Sequence, residues 1–416
     1  MATDTSTLEP LPIPEPDRPA YRAKPKDWVR ENLFSGPVNS IVTIVGALVI
    51  AFLAYRALRF LFVTARWEAV HVNLTNYMVG GFPRDELWRL WAAVYLLTLL
   101  GGMRWGVSVH RTRPTDGRAE ASWRAPLRRF WPFIVFALVV VGLSASPVTA
   151  AALLGVGMTA FIGRVAGIRV PPRGVRWVTI LFILGCVAAF EVMVAFGGVP
   201  YPDWRGLMLT LFLSLGGILL SFPLGVLLAL GRRSTFPAIR ALSVAYIELI
   251  RGVPLITLLF MAFLVLGFFL PPGTQTPSLV ARALIAFVLF TAAYVAEVVR
   301  GGLQAVPNEQ VEAAQALGLS PVKITALIVL PQALRAVIPA MVGQFISLFK
   351  DTSLAASIGL AELLRVAEQI NGQPRFTGHG LQAETLGFAA FVFWVGAYWM
   401  SKTSQRLEKR LGVGER

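Results

Sequence analysis

Cysteine and histidine are nearly absent: one Cys and three His in 416 residues. Cys186 lies inside an apolar run, so neither a disulfide framework nor a thiolate metal site can be built. His71, His110 and His379 are far apart in sequence and read as surface or loop residues rather than metal ligands. Charge is also scarce. Charged residues make up 15% of the chain and apolar ones 56%, with a mean hydropathy of +0.65. A soluble chain carries about a quarter charged residues. Acid is the scarcer sign, 23 Asp and Glu against 38 Lys and Arg, which leaves a net charge of +15. Nucleic acid is one partner for such an excess. The arginines argue against it, because they sit between apolar runs, mostly on alternate loops, as expected where basic loops stay on the cytoplasmic side of a bilayer. Membrane lipid is the expected surrounding, and no nucleic-acid partner is expected.

What is present is a series of ten apolar runs, near 41–63, 88–104, 130–146, 148–163, 177–196, 206–230, 253–270, 280–298, 336–358 and 384–401. A span needs about 20 residues. Pro147 divides the 130–163 stretch into two short helices or kinks one longer one, because proline removes a helical hydrogen bond. Ten spans with both termini inside put the basic loops at 104–129, 164–176 and 232–251 and the basic tail at 406–416 in the cytoplasm. The uncharged 271–277 loop then lies outside. A single span at 130–163 would place two basic loops on opposite sides, so ten is preferred to nine. Residues 1–37 are rich in proline and charge and lack an apolar segment, which suits a disordered cytoplasmic tail and no signal peptide. A further boundary is expected near 200, between bare spans joined by basic loops at 38–200 and spans with patterned polar residues at 201–405.

The most informative segment is a polar, alanine-rich interruption at 307–319. Pro307 suits the first turn of a helix, and Gly318 suits the residue after its last turn, because it tolerates positive φ. Ser320 and Pro321 then restart a helix, and Pro331 and Pro339 are expected to kink or end it. Ala313 and Ala314 leave a low surface for a partner's groove, beside the single charge of Glu312. Residue types alone leave an ordinary amphipathic connector equally open.

The spacing decides between them. Glu312-Ala313-Ala314, three residues, Gly318, nine residues, Ile328, one residue and Leu330-Pro331 follow without a gap. This resembles the signature of the membrane subunits of ABC importers, in which that segment is the coupling helix that contacts the ATPase. The stretches Leu207–Leu211, Pro223–Gly225, Tyr246–Leu255, Ala293–Gly302 and Lys350–Leu354 resemble the polar amino acid branch of that family. Glu309 departs from the pattern, where the family often has Gly. The resemblance covers 205–405, and five extra N-terminal spans look like the M-type permease subunit of general L-amino acid transporters. It implies an all-α integral membrane protein of about ten transmembrane helices with a C-terminal five-helix type I importer core, in a bacterial inner membrane. It also implies two ATPase subunits, a second permease subunit paired as a heterodimer, and a periplasmic amino-acid-binding protein. ATP would be used by the partner ATPases, and this chain needs no cofactor. The run from Gly396 to Thr403 nearly spells a phosphate-binding loop, but it lacks the second Gly and lies in a membrane helix.

Other polar residues carry open readings. Gln344, Ser347 and Asp351 share one helical face, with Lys350 beside it and Thr352 next in sequence. Either this face lines an amino-acid passage, or Lys350 and Asp351 sit near the membrane surface and fix register. Glu248 with Arg251, and Glu297 with Arg300, are three apart, so local ion pairs are the first reading and gating or ATPase contact the second. An ion-gradient-driven secondary transporter of small polar solutes is the functional alternative. It would show an internal repeat, and 41–196 and 206–401 show no convincing one. A membrane scaffold would not need the Glu312–Pro331 spacing.

Overall fold

The structure is a computed structural model that describes residues 25–110, 124–195 and 197–411. Most of the expected N-terminal tail, the middle of the 104–129 loop and the last five residues lie outside the described part. The described residues are helical throughout, apart from turns and one isolated parallel bridge between Gly206 and Glu362.

The chain divides into two compact units, Met1–Ala65 and Arg66–Arg416. In the first, α1 (Pro25–Leu33) lies within the stretch expected to be disordered. Its sequence favours a helix locally, with Pro25 and Asp27 in the first turn and Arg30 in the last. α2 (Pro37–Arg59) starts on a proline at its first turn, and Thr43 Oγ1 donates to Leu33 O at 2.8 Å, tying the two helices. None of the α2 side chains is buried, as suits a helix whose solvent is lipid.

The second unit begins with α3 (Glu68–Val79), α4 (Leu87–His110), α5 (Arg124–Ser144), α6 (Pro147–Arg169) and α7 (Val175–Val194). Pro147 separates α5 from α6 as two helices, with Ala145 at φ 46° in the break. α8 (Gly206–Arg232) and α11 (Leu279–Gln304) are long membrane helices packed against each other. Between them, α9 (Pro237–Gly252) and the segment Leu255–Phe269, which begins with α10 (Leu255–Phe260), meet at 104° across Val253-Pro254. α12 (Asn308–Ala316) and α13 (Pro321–Ile324) follow, then α14 (Leu330–Asp351), α15 (Leu363–Asn371) and α16 (Gln382–Leu411).

Neither Pro331 nor Pro339 ends the helix. Pro321–Ile358 is one span, and a π-helical turn at Thr325–Val329 just ahead of Pro331 absorbs the break in the hydrogen-bond ladder. Among the described residues, eight helices are long and apolar enough to cross a bilayer, or nine if the bent pair counts as one span. Arg129–Ser144 is a shorter apolar helix, so the expected run at 130–146 forms a helix without reaching full span length.

Three apolar clusters hold the second unit. One joins α4 and α7 to α8, α10 and α11 through residues such as Ala93, Met193, Leu213, Leu259 and Phe287. A second joins α3 to α15 and α16 around Val70, Tyr77, Leu363 and Phe388. The third gathers Ala229, Ile247, Val295, Val299, Ala314, Ile324 and Ala333 behind α12. Residues on both sides of position 200 therefore share one core.

Candidate coupling helix and ion-pair site

α8 fixes the geometry of the site. Its 27 residues span about 40 Å at 1.5 Å each. At its first residue, Gly206 N donates to Ala361 O at 2.8 Å. At its other end, Arg233 Nη1 donates to Leu303 O at 3.0 Å, near the end of α11. The 359–381 segment and α12 therefore lie at opposite ends of the bundle.

α12 is a two-turn helix closed by a cap at its C-terminal end. Pro307 stands one position before the expected place, as the N-cap residue with ψ 138°. At the C-terminus Gly318 adopts φ 75°, its N–H donates to Gln315 O at 2.9 Å, and Leu319 N donates to Ala314 O at 3.2 Å. That pair of bonds is the Schellman closure, which a residue with a side chain would strain. Ala314 faces inward at 2% exposure among Ile324, Val329 and Val299, so it anchors the helix instead of presenting surface. Glu312, Ala313 and Gly318 are exposed, and Leu317 beside them is 81% exposed. Ile328 and Leu330 are half-buried against the same cluster, and Pro331 is exposed. Gln332 Nε2 donates to Gln310 Oε1 at 2.6 Å, joining α12 to the start of α14. Glu309 is exposed in the first turn, where its charge suits the helix N-terminus.

Beside α12, five charges form one cross-helix network. The Glu297 carboxylate is its centre. One oxygen accepts from Arg300, with Nε at 3.0 Å and Nη2 closer. The other lies 3.3 Å from Arg232 Nη1 and 3.7 Å from Arg251 Nη1. Arg232 Nη1 also reaches Glu248 Oε1 at 3.0 Å. The expected Glu297–Arg300 pair is present, but the local Glu248–Arg251 pair is not the arrangement found. Glu248 pairs with Arg232 of α8, and Arg251 turns to Glu297 of α11 and stacks over Tyr294 at 5.6 Å. Both residues lie within α9 itself, and Arg232 of α8 and Glu297 of α11 pack close enough to take them as partners across helices. Arg232 was legible only as a loop cation, and nothing in its local sequence pointed across to α9 and α11.

On α14, Gln344 and Asp351 are half-buried and Ser347 and Lys350 exposed. Thr352 turns away from that face. It is fully buried, and its hydroxyl donates to Phe349 O at 2.7 Å.

At the far end of α8, Glu362 is a buried carboxylate that sequence reading missed. It is fully buried and caps α15, accepting from Arg365 N at 2.8 Å. Its other oxygen lies 3.5 Å from Thr210 Oγ1 on α8. Burial raises its carboxyl pKa to about 7, against the hydrogen bonds from Leu364, Arg365 and Thr210. A Glu three residues before a helical N–H is a visible capping signal, but its burial against Thr210 is a tertiary fact.

Residues 221–401 match the binding-protein-dependent transport system inner membrane component family. The inner membrane amino-acid ABC transporter permease YhdY of Escherichia coli is 36% identical, across 97% of this chain and 98% of its own length. The glutamate/glutamine/aspartate/asparagine transport system permease BztC of Rhodobacter capsulatus is 33% identical, across 98% and 97%. The probable glutamine ABC transporter permease GlnP of Bacillus subtilis is 37% identical, but over 50% of this chain and 92% of its own.

Proposed function

The chain belongs to the amino-acid ABC transporter permeases, and on that premise we propose that α12 is the segment that docks on the ATPase. The protein is the membrane-spanning subunit of an ATP-driven amino-acid importer, a multi-pass inner-membrane protein whose ATPase is a separate subunit. A gradient-driven secondary transporter is set aside by the same relatives.

One observation carries the docking assignment. The gap-free spacing from Glu312 to Pro331 coincides with a capped, exposed helix whose inner residue, Ala314, is buried in a cluster shared by α8, α9, α11 and α14. Displacement of the exposed face by closing ATPases would reach four membrane helices through that one contact. The basic loops support placing α12 and both termini in the cytoplasm, with the 359–381 segment toward an amino-acid-binding protein outside. Two ATPases and a second, non-identical permease would complete the assembly. Glu248, Arg251, Glu297 and Arg300 would gate or brace the inner end of the passage. Gln344, Ser347, Lys350 and Asp351 would line it with both signs of charge that a zwitterionic amino acid needs, and Thr352 would hold the turn behind them. The cargo we infer is polar L-amino acids, in line with the glutamate, glutamine, aspartate and asparagine for which the similar BztC is named.

Gly318→Asp tests the docking assignment. The inserted protein is expected at normal amounts, with copurified ATPase and ATP-dependent uptake both reduced at least tenfold, roughly 1.4 kcal/mol of lost interaction or more. Full uptake by that variant overturns the assignment.

A further inference from the structure

We propose that the groove between the start of α5 and the end of α16 binds the phosphate headgroup of an anionic phospholipid. The groove holds about 430 Å³ and is lined by Arg129, Trp131, Tyr398, Trp399, Lys402 and Arg406, among others. Three cations share it, and among the described residues no carboxylate lines it. The nearest acid on α16, Glu408, accepts from Ser404 at 2.9 Å, and those two residues lie on the far side of the helix from Lys402 and Arg406. The Trp399 indole N–H is buried with no acceptor among the described residues, and it supplies a neutral donor at the groove wall. Lys402 is held in place by Gln405 Oε1 at 3.1 Å and by the Tyr398 ring at 5.6 Å. An anionic oxygen cluster is what this combination of fixed cations and one indole donor would bind.

Position and surroundings point to a lipid as its source. α16 begins at Gln382 beside the 359–381 segment, and its 30 residues rise about 45 Å, so Lys402 and Arg406 lie at the α12 end of the bundle. The apolar stretch Arg129–Ser144 is 16 residues, about 24 Å, shorter than the ~30 Å hydrocarbon layer, so Arg129 and Trp131 sit at headgroup depth. Trp131 packs edge-on against Trp394 and Tyr398 at 5.8 and 5.4 Å, forming an interfacial aromatic wall. Below it, Trp131, Ile134 and Leu138 leave an exposed apolar stripe on α5, with 38%, 39% and 66% exposure. A phosphate in the groove would place an acyl chain along that stripe, which a free phosphate ion could not use. Basic pockets between membrane helices on the cytoplasmic side recognise anionic headgroups in this way.

The test uses the full transporter complex in nanodiscs with a photo-crosslinkable phosphatidylglycerol, followed by peptide mapping. Label is expected in the peptides around Arg129–Leu138 and Trp394–Arg406. It should fall by roughly tenfold or more in the triple variant Arg129→Gln, Lys402→Gln, Arg406→Gln. The matching phosphatidylcholine probe should label these peptides far less, and millimolar inorganic phosphate should not compete. Equal labelling by phosphatidylcholine, absence of label from both peptides, or unchanged labelling of the triple variant overturns the proposal. Competition by inorganic phosphate overturns the lipid as ligand in favour of a free-anion site. If the triple variant does not assemble, the wild-type map with its phosphatidylcholine control decides.

Discussion

The α4–α6 crossing and the α8–α9–α11 end are both helix contacts in one protein, and they are built by opposite means. At the first, backbones touch. A Cβ added at Gly102 would stand 2.2 Å from Ala160 O, at Gly106 2.2 Å from Arg164 O, and at Gly163 1.9 Å from Leu99 O. Gly102 and Gly106 are four apart, as are Gly163 and Gly167, the small-residue spacing that brings membrane helices together. Thr98 and Thr159 hydroxyls at 2.8 Å close the crossing. At the second, the helices are bridged by long side chains, three arginines around Glu297 with Glu248 at the edge. A gap of about 0.5–1 Å forfeits roughly a quarter to a half of a dispersion contact, whereas charge attraction varies slowly with distance. The glycine crossing therefore accepts one separation. The charged end can shift and re-pair without losing all of its energy, as a region that must move with α12 requires.

The largest effect should come from filling the glycine crossing. Gly163→Leu is expected to cost about 3 kcal/mol or more through overpacking. It would show as loss of the folded peak in size-exclusion chromatography and a lowered melting temperature. Gly157→Ala on the same helix has nothing within 4 Å of the added Cβ and should melt like the parent. Normal stability of Gly163→Leu would remove the steric half of the contrast.

Glu362 adds a third kind of contact, a buried carboxylate at the quiet end of α8. Its pKa in the fold, about 7, lies above the ordinary 4.5. The folded state therefore holds its proton more tightly than the unfolded one. The contribution of Glu362 to stability is greatest below pH 4.5 and declines as pH rises to about 7, by at most about 3 kcal/mol. Melting of the parent should fall between pH 5 and pH 7.5, roughly the range of that shift. The curve for Glu362→Gln should be flatter, and equal slopes for the two proteins would sink the assignment.

Glu297→Gln should cost about 1–2 kcal/mol in stability, because it takes the shared acceptor from three half-exposed arginines. Its clearer readout is coupling: ATP hydrolysis should continue while uptake per ATP drops. Glu248→Gln should be the smallest change, about 0.5 kcal/mol, since its carboxylate is 56% exposed and has one partner in the network. A double-mutant cycle of Glu248 with Arg232 measures that pair directly. A Glu248 effect equal to that of Glu297 would make the network a set of independent pairs.

Much of this was readable from residue order, and the failures share a cause. Apolar runs located the helices, because in lipid every backbone group must bond within its own segment. Gly318 as a C-terminal cap and Pro147 as a divider followed from φ preference and a missing N–H, which are local properties. Ala314 looked like surface because its neighbours are polar, yet its position on α12 turns it to the core. Thr352 looked like part of a polar face, yet the 3-10 turn Thr352–Ile358 rotates it inward. The local Glu248–Arg251 pairing failed because α8 and α11, packed against α9, offered each residue a partner on another helix.

Sequence alone therefore determined that this is a multi-span helical membrane protein with a spacing suited to an ATPase-docking helix. Periodicity, helix punctuation and charge placement act within one segment and need no fold to be read. Tertiary structure decided which face of α12 is free, that one carboxylate gathers three arginines, that Glu362 is sealed against α8, and that α5 and α16 enclose a basic groove. Those are matters of distance between segments far apart in the chain, set by crossing angles and bends that no single segment encodes.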